Sequence, residues 1–201
     1  MTEYFESFEA PEGFKVELLR GEIVMMSGSD VVHNLIVLFV QRQIPMDRWY
    51  PLQTQDVDIP AESSEPQPDL VVLPVEAAPE SGRLLPAGAL TMVVEVVSKT
   101  SKLRDYVTKR SIYAGGGVPT YLIVDPFQAK CVVLTEPFGA GEEADYRNEW
   151  TGKFGEPVPL DALGVTLDTT EFGTLPYPGQ GAVTKSISSS TRPSSVGSRS
   201  L

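Results

Sequence analysis

The run Met92-Val93-Val94-Glu95-Val96-Val97-Ser98 decides the fold. Consecutive β-branched residues mark a strand covered on both faces, as in sheets layered between helices. Glu95 interrupts that run. A carboxylate is seldom fully buried without a partner, because hydrocarbon does not replace the water it loses. Two readings of Glu95 stand. Either the strand face opens there to solvent or to a structural ion pair, or Glu95 is a metal ligand or catalytic carboxylate. Twenty-six residues earlier, Pro68-Asp69 opens a second apolar run, Leu70-Val71-Val72-Leu73. Alone, Pro-Asp is an ordinary turn opening. On neighbouring strands, Asp69 and Glu95 become converging carboxylates, which repel unless a cation intervenes. Magnesium suits such a pair, since it takes one or two carboxylates and completes its shell with water and phosphate oxygens.

The rest of the chain supplies elements on either side. Downstream of Glu95, Ser101 is placed to cap a helix whose sheet-facing side reads Leu103, Tyr106, Val107, Arg110 and Tyr113. Gly115-Gly116-Gly117 ends that helix. Tyr121 to Val124 is a short buried strand, and Lys130 to Thr135 pairs back on it as a hairpin. Upstream, Phe14 to Leu19 and Glu22 to Met26 flank Arg20-Gly21 and predict an antiparallel hairpin. Asp30 is an N-cap, with Val31, Leu35, Leu38 and Phe39 recurring at helical spacing and Pro45 closing the helix. Trp49 to Ile59 reads as one strand. The order is hairpin, helix, three strands, helix, two strands, which implies an α/β domain with helices against a mixed sheet. That domain is expected over residues 1–180, with a Ser-rich disordered tail over 181–201.

Composition narrows the function. The 201 residues carry a net charge of −11. Lys185, Arg192 and Arg199 are the only charges beyond residue 181, which leaves −14 on residues 1–181. Such a charge lowers the nucleic-acid reading without removing it, and Lys99, Lys102, Arg104, Lys109 and Arg110 cluster within twelve residues. The single cysteine, Cys131, excludes an internal disulfide and reads as a packed strand residue. No membrane-spanning run and no signal-peptide pattern is evident, which points to the cytoplasm.

Other chemistries find little support. The only histidine, His33, would have to serve any Ser-His-Asp triad, and no Gly-x-Ser-x-Gly elbow accompanies it. One cysteine and one histidine do not make a zinc site. The glycine run lacks the Lys-Ser/Thr of a P-loop. Lys109 stands four residues after Asp105, so it reads either as half of an exposed helix pair or as a lysine on the rim of the buried face reaching the sheet edge. Lys99 and Lys102 are its rivals. Glu17 and Glu22 flank the hairpin turn and read either as solvated or as accessory carboxylates.

Four segments together resemble a known family. They are Glu17 through Met25 with Arg20-Gly21-Glu22, Pro68-Asp69-Leu70-Val71-Val72, Val94-Glu95-Val96-Val97-Ser98, and Asp105 through Pro126. In order and spacing they are similar to the Uma-two type of restriction endonuclease, within the PD-(D/E)XK nuclease superfamily. The resemblance implies a restriction-endonuclease-like core and magnesium- or manganese-dependent cleavage of DNA. By motif position it makes Asp69 and Glu95 metal carboxylates and the Val96 carbonyl a third ligand. The usual lysine stands two residues after the glutamate. Here that position is Val97, and the resemblance carries the lysine to Lys109 on the next helix. Glu22 or Glu17 takes the place of an accessory glutamate. The fold type allows a homodimer, for which the sequence holds no coiled-coil cue. The alternative is a catalytically silent nuclease-fold interaction or regulatory module, motivated by the acidic charge and by Val97.

Overall fold

Two positive φ angles, 52° at Arg20 and 79° at Gly21, make the first turn. Both central residues of a two-residue type I′ loop need that conformation. The turn joins β1 (Phe14–Leu19) to β2 (Glu22–Ser27) in the expected antiparallel hairpin. Helix α1 (Val31–Gln41) follows, capped by Asp30, whose carboxylate accepts from the His33 N–H at 2.9 Å. Then come β3 (Trp49–Leu52), β4 (Asp56–Asp58), β5 (Leu70–Pro74), β6 (Leu84–Pro86) and β7 (Met92–Val96). A π-helical turn, Arg104–Thr108, runs directly into α2 (Lys109–Gly115). The chain continues through β8 (Thr120–Asp125), β9 (Lys130–Phe138), β10 (Asp145–Lys153), β11 (Val158–Leu160) and β12 (Val165–Leu167). This computed structural model describes Phe5, Phe8 and residues 11–177, so the expected tail lies outside the described residues.

The central sheet has the order β10-β9-β8-β7-β5-β3. Only β7 and β8 run parallel, joined by the crossover through α2; the other pairs are antiparallel. Mixed pairing and helices on both faces give the layered α/β domain that the valine runs predict and the restriction-endonuclease-like core that the resemblance implies. Strand alternation divides the core. Val71, Leu73, Val93 and Val97 face one layer with Leu19 of the hairpin and Ile112 and Tyr113 of α2. Leu70, Val72, Met92, Val94 and Val96 face the other layer with Ile36, Val37 and Val40 of α1 and with Phe172. Among the described residues, no helix is long and apolar enough to cross a membrane.

Four sequence expectations need correction. Trp49 to Ile59 is two strands in different sheets, because Thr54, at φ 55°, turns the chain between them. There are five strands between the helices, not three, since the short parallel pair β4–β6 carries little apolar signal. In α1 the buried face is Ile36, Val37 and Val40, while Val31 and Leu38 are exposed. That helix is apolar nearly all round, so periodicity selects no unique face. In the second helix Leu103 and Val107 are exposed, and Asp105, Lys109, Ile112 and Tyr113 point inward. The π-helical turn causes this. The Lys109 N–H reaches back five residues to the Arg104 carbonyl, and the extra residue rotates everything upstream relative to a regular helix.

Gly115 ends α2 for a steric reason. A Cβ there would collide with the Glu62 carboxylate, which Arg20 holds at 3.2 Å and the Gly141 N–H holds at 2.8 Å. Gly117, at φ 72°, then turns the chain into β8 in a conformation that glycine adopts without penalty.

Candidate active site: acidic strands meet a buried lysine

Strand pairing sets the two key carboxylates together. β5 and β7 pair with Leu70 opposite Val94, the last rung of that ladder, which leaves Asp69 just before β5 and Glu95 as the next residue of β7. Asp69 begins where the β5 ladder stops, and its Oδ2 accepts from the Val96 N–H at 2.8 Å. The same oxygen lies 3.0 Å from His33 Nε2. Val96 thus offers its N–H to Asp69 while its side chain packs in the opposite layer.

The lysine arrives from α2. Lys109 is 1% exposed, with Nζ 2.6 Å from Glu95 Oε1 and 2.8 Å from Glu17 Oε1. Tyr113, one turn on, donates its hydroxyl to Glu95 Oε1 at 2.7 Å. Glu17 comes from the hairpin, which docks through the Leu18–Glu65 bridge. Its Oε1 also accepts from the Gln67 N–H at 3.0 Å and lies 3.3 Å from Lys15 Nζ. Glu17 Oε2 is buried with no hydrogen-bond partner. Asp105 is buried one turn before Lys109 and accepts from the Ser101 hydroxyl.

A cavity of about 350 Å³ opens on several of these groups, though not on Glu17 or Tyr113. Asp69, Glu95, Val96 and Lys109 line it with Lys15, His33, Lys99, Arg104 and Phe127. The sequence-level candidates thus divide. Asp69, Glu95, Lys109 and Glu17 come together, and Lys99 reaches the wall. Glu22 is exposed at the hairpin turn, and neither it nor Lys102 lines the cavity. The basic cluster also splits, because Arg110 is taken by Asp145 at 2.6 Å and Glu149 at 2.9 Å. Glu17, read as solvated or accessory, is buried. Lys109, read as exposed pair or rim, is buried too, and Asp105 is not its hydrogen-bond partner. Lys15, His33 and Tyr113 join the site although the sequence alone does not mark them as its members. For His33 a signal existed: it is in phase with Ile36, Val37 and Val40 at spacings of three, four and seven.

Charge at the site is uneven. Burial pushes the Glu95 carboxyl up, the Lys109 ammonium pulls it back, and Asp69 pushes it up again, leaving it at about 8. Burial also acts on Glu17, but the Lys109 and Lys15 charges overcome it and hold that carboxyl below its ordinary value. Burial opposes the Lys109 charge, yet Glu17, Glu95 and Asp105 keep it well above the usual lysine range. One ammonium therefore serves two buried carboxylates: Glu17 keeps the charge, and Glu95 keeps a proton into mild alkali. Asp69 is held low despite burial by the His33 hydrogen bond and charge, by Lys15 and by the Val96 N–H. Cys131 takes no part, since burial in β9 pushes its thiol up to about 12.

Among the described residues, no group of three or more His, Cys, Asp or Glu forms a metal cage. The donors present fit a different mode. Asp69 and Glu95 both line the cavity, and Glu17, which does not, shares the Lys109 amine with Glu95. Such a set suits an ion that takes most of its shell from water and substrate oxygens.

A mixed sheet between helices, with an N-terminal antiparallel hairpin, gives a nuclease-like α/β fold. The chain belongs to the Uma2 family, described as "Putative restriction endonuclease", whose model matches residues 2–170. Among solved structures it is similar to "a putative nuclease belonging to DUF820" from Anabaena variabilis, with a TM-score of 0.64 at 13% identity over 85% of this chain and 95% of that one. At that identity the likeness speaks for the fold alone. No curated protein matches the chain.

Proposed function

We propose that the protein is a metal-dependent endonuclease that hydrolyses DNA phosphodiester bonds through a PD-(D/E)XK-type site whose lysine sits on the helix after the glutamate. One observation carries this reading: Lys109 Nζ is 2.6 Å from Glu95 Oε1, and Asp69 lines the same cavity as both. Membership of the nuclease family supports it.

In this reading Asp69, Glu95 and the Val96 carbonyl hold magnesium or manganese. When bound, the ion supplies Lewis-acid polarisation of a phosphoryl oxygen and a water of lowered pKa. Lys109, held charged by its neighbours, stabilises the negative charge that develops on the phosphate. It is no general base, because an ammonium has no lone pair to accept a proton. Tyr113 fixes the Glu95 carboxylate by donating to Oε1. Lys15, Lys99 and Arg104 at the cavity counter the acidic chain and favour an incoming phosphate.

The test is supercoiled plasmid with the purified protein and magnesium or manganese. Nicking by the wild type that Asp69→Ala with Glu95→Ala abolishes supports the reading. Equal nicking by both proteins assigns the activity to a contaminant.

A second reading is favoured by the near-complete burial of Lys109, whose amine is already held by Glu17 and Glu95 within the protein. In that reading the cluster is a structural ion network in a catalytically silent interaction module. It requires that no cleavage occur and that millimolar magnesium or manganese leave the melting temperature unchanged.

A further inference from the structure

Asp69 is held from the helix α1, from the backbone of β7 and from the hairpin. Its Oδ2 receives His33 Nε2 at 3.0 Å and the Val96 N–H at 2.8 Å. Its Oδ1 lies 3.9 Å from the Lys15 ammonium, which lines the same cavity. The His33 and Asp69 side chains are 13% and 11% exposed, so water competes poorly for their hydrogen bond. His33 sits in the first turn of α1, and Asp30 pins its backbone N–H at 2.9 Å. The helix start is held, and the ring has one direction in which to reach.

We infer that His33 is a positioning residue for the metal carboxylate: it holds Asp69 Oδ2, with the Val96 N–H, so that Oδ1 is the oxygen presented to an ion. This rests on the proposed reading of Asp69 as a metal ligand. The physical ground is the two-point grip on one oxygen. A carboxylate on a strand end rotates about χ1 and χ2 unless something fixes it, and each rotation swings the free oxygen away. Two donors on Oδ2, one from backbone and one from a capped helix, select a single orientation. Groups that orient a ligating carboxylate in this way carry about 10- to 100-fold of metal affinity in characterised sites.

Charge must be separated from geometry in the test, because removing a cationic ring beside the site favours a divalent ion by itself. His33→Gln and His33→Asn solve this. Both are neutral amides. The glutamine amide nitrogen extends about as far as Nε2 and can donate to Oδ2, whereas the asparagine amide stops near the Nδ1 position. The full chain is titrated with manganese by calorimetry at one pH, together with Asp69→Ala, and each variant's melting curve verifies that it is folded.

The inference expects His33→Asn to bind manganese about tenfold or more weakly than His33→Gln. It expects single-turnover cleavage at saturating manganese to be similar in the two. Equal affinity for both amides overturns it and leaves His33 as a counter-charge. Binding in the wild type that Asp69→Ala leaves untouched removes the metal reading itself, and this inference with it. Binding that is lost in Asp69→Ala but equal in the two amides removes only the role of His33.

Discussion

Lys109 and Glu95 meet at 2.6 Å although one rides a helix and the other a central strand, and the contact is almost dry. Glu95 holds its proton below about pH 8, so the charge that Lys109 offsets there is that of Glu17, 2.8 Å away. A buried ion pair is no measure of stability in itself, because desolvation offsets much of the attraction, but removing one partner is another matter. Lys109→Met strands the Glu17 carboxylate without its cation and is expected to cost about 3–5 kcal/mol in urea denaturation. Combining it with Glu17→Gln and Glu95→Gln is expected to recover much of that loss, since no uncompensated charge remains. Equal stability of Lys109→Met and wild type would mean that the pair is not formed in solution.

The ion-free protein is expected to become less stable as pH rises from mild acid to mild alkali. Glu95 is raised from 4.5 to about 8, so the native state holds a proton that the unfolded chain has lost. A group of this kind contributes stability that is complete below the unfolded pKa and gone once the folded pKa is passed. His33 acts in the same sense: burial lowers it, but the Asp69 hydrogen bond and charge raise it above its ordinary 6.5. Asp69 and Glu17 are lowered and act oppositely, but their contributions are already complete above about pH 5. Between pH 5 and 8 the slope approaches about −1.4 kcal/mol per pH unit for each extra bound proton. Chemical denaturation across that range checks it, and Glu95→Gln should flatten the curve. A curve that climbs towards pH 8 contradicts the protonated Glu95.

Much of this was legible in the sequence, and the remainder has a physical cause. Asp69 and Glu95 stood out because a carboxylate is anomalous in an apolar strand, and apolar strands are easy to read. The hairpin followed from Arg20-Gly21 for the same local reason. Lys109 was legible only as a candidate, because its burial depends on a π-helical turn that no spacing rule announces. Glu17 reads as solvated because it stands near the hairpin turn with Lys15 two residues before it; its burial comes from docking against Glu65 and Gln67, some fifty residues away. His33 was weighed as a nucleophile's base and not as a partner of Asp69, since no rule of sequence links a helix start to a strand start across a sheet.

Divalent ions are expected to raise the melting temperature by mass action, and more strongly at alkaline pH. Binding at Glu95 displaces a proton below pH 8, so the apparent affinity falls as the medium becomes more acidic. At an ion concentration of about 100 Kd the stabilisation is about 2.7 kcal/mol. Thermal melts with magnesium and manganese at pH 6.5 and 8.5 test this, with Asp69→Ala as the control. A shift that is the same at both pH values removes Glu95 from the ion's shell.

Gly115→Ala is expected to destabilise the protein by about 1–3 kcal/mol through overpacking against Glu62, and to leave ion affinity intact. Glu62 is tied to Arg20 and the Gly141 backbone, so it cannot step aside without breaking those bonds. Gly115 follows Lys109 by six residues and does not line the cavity. A melting curve and a manganese titration on the same variant separate the two effects. Weakened ion binding in a fully folded Gly115→Ala would show that the helix end and the site move together.

Tyr113→Phe isolates the tuning of Glu95. The hydroxyl donates to Glu95 Oε1 at 2.7 Å, a bond that a carboxylate accepts more strongly than a carboxylic acid does. Without it the ionised form loses a donor while burial and Asp69 still oppose charge, so the Glu95 carboxyl moves further up. The variant should lose about 1 kcal/mol of stability, and the midpoint of its pH-dependent manganese binding should move to higher pH. The lysine contact stays, so binding well above that midpoint should match the wild type. Manganese titrations at a series of pH values give both numbers. A uniform loss at every pH would instead make Tyr113 a packing residue, with Lys109 alone setting the state of Glu95.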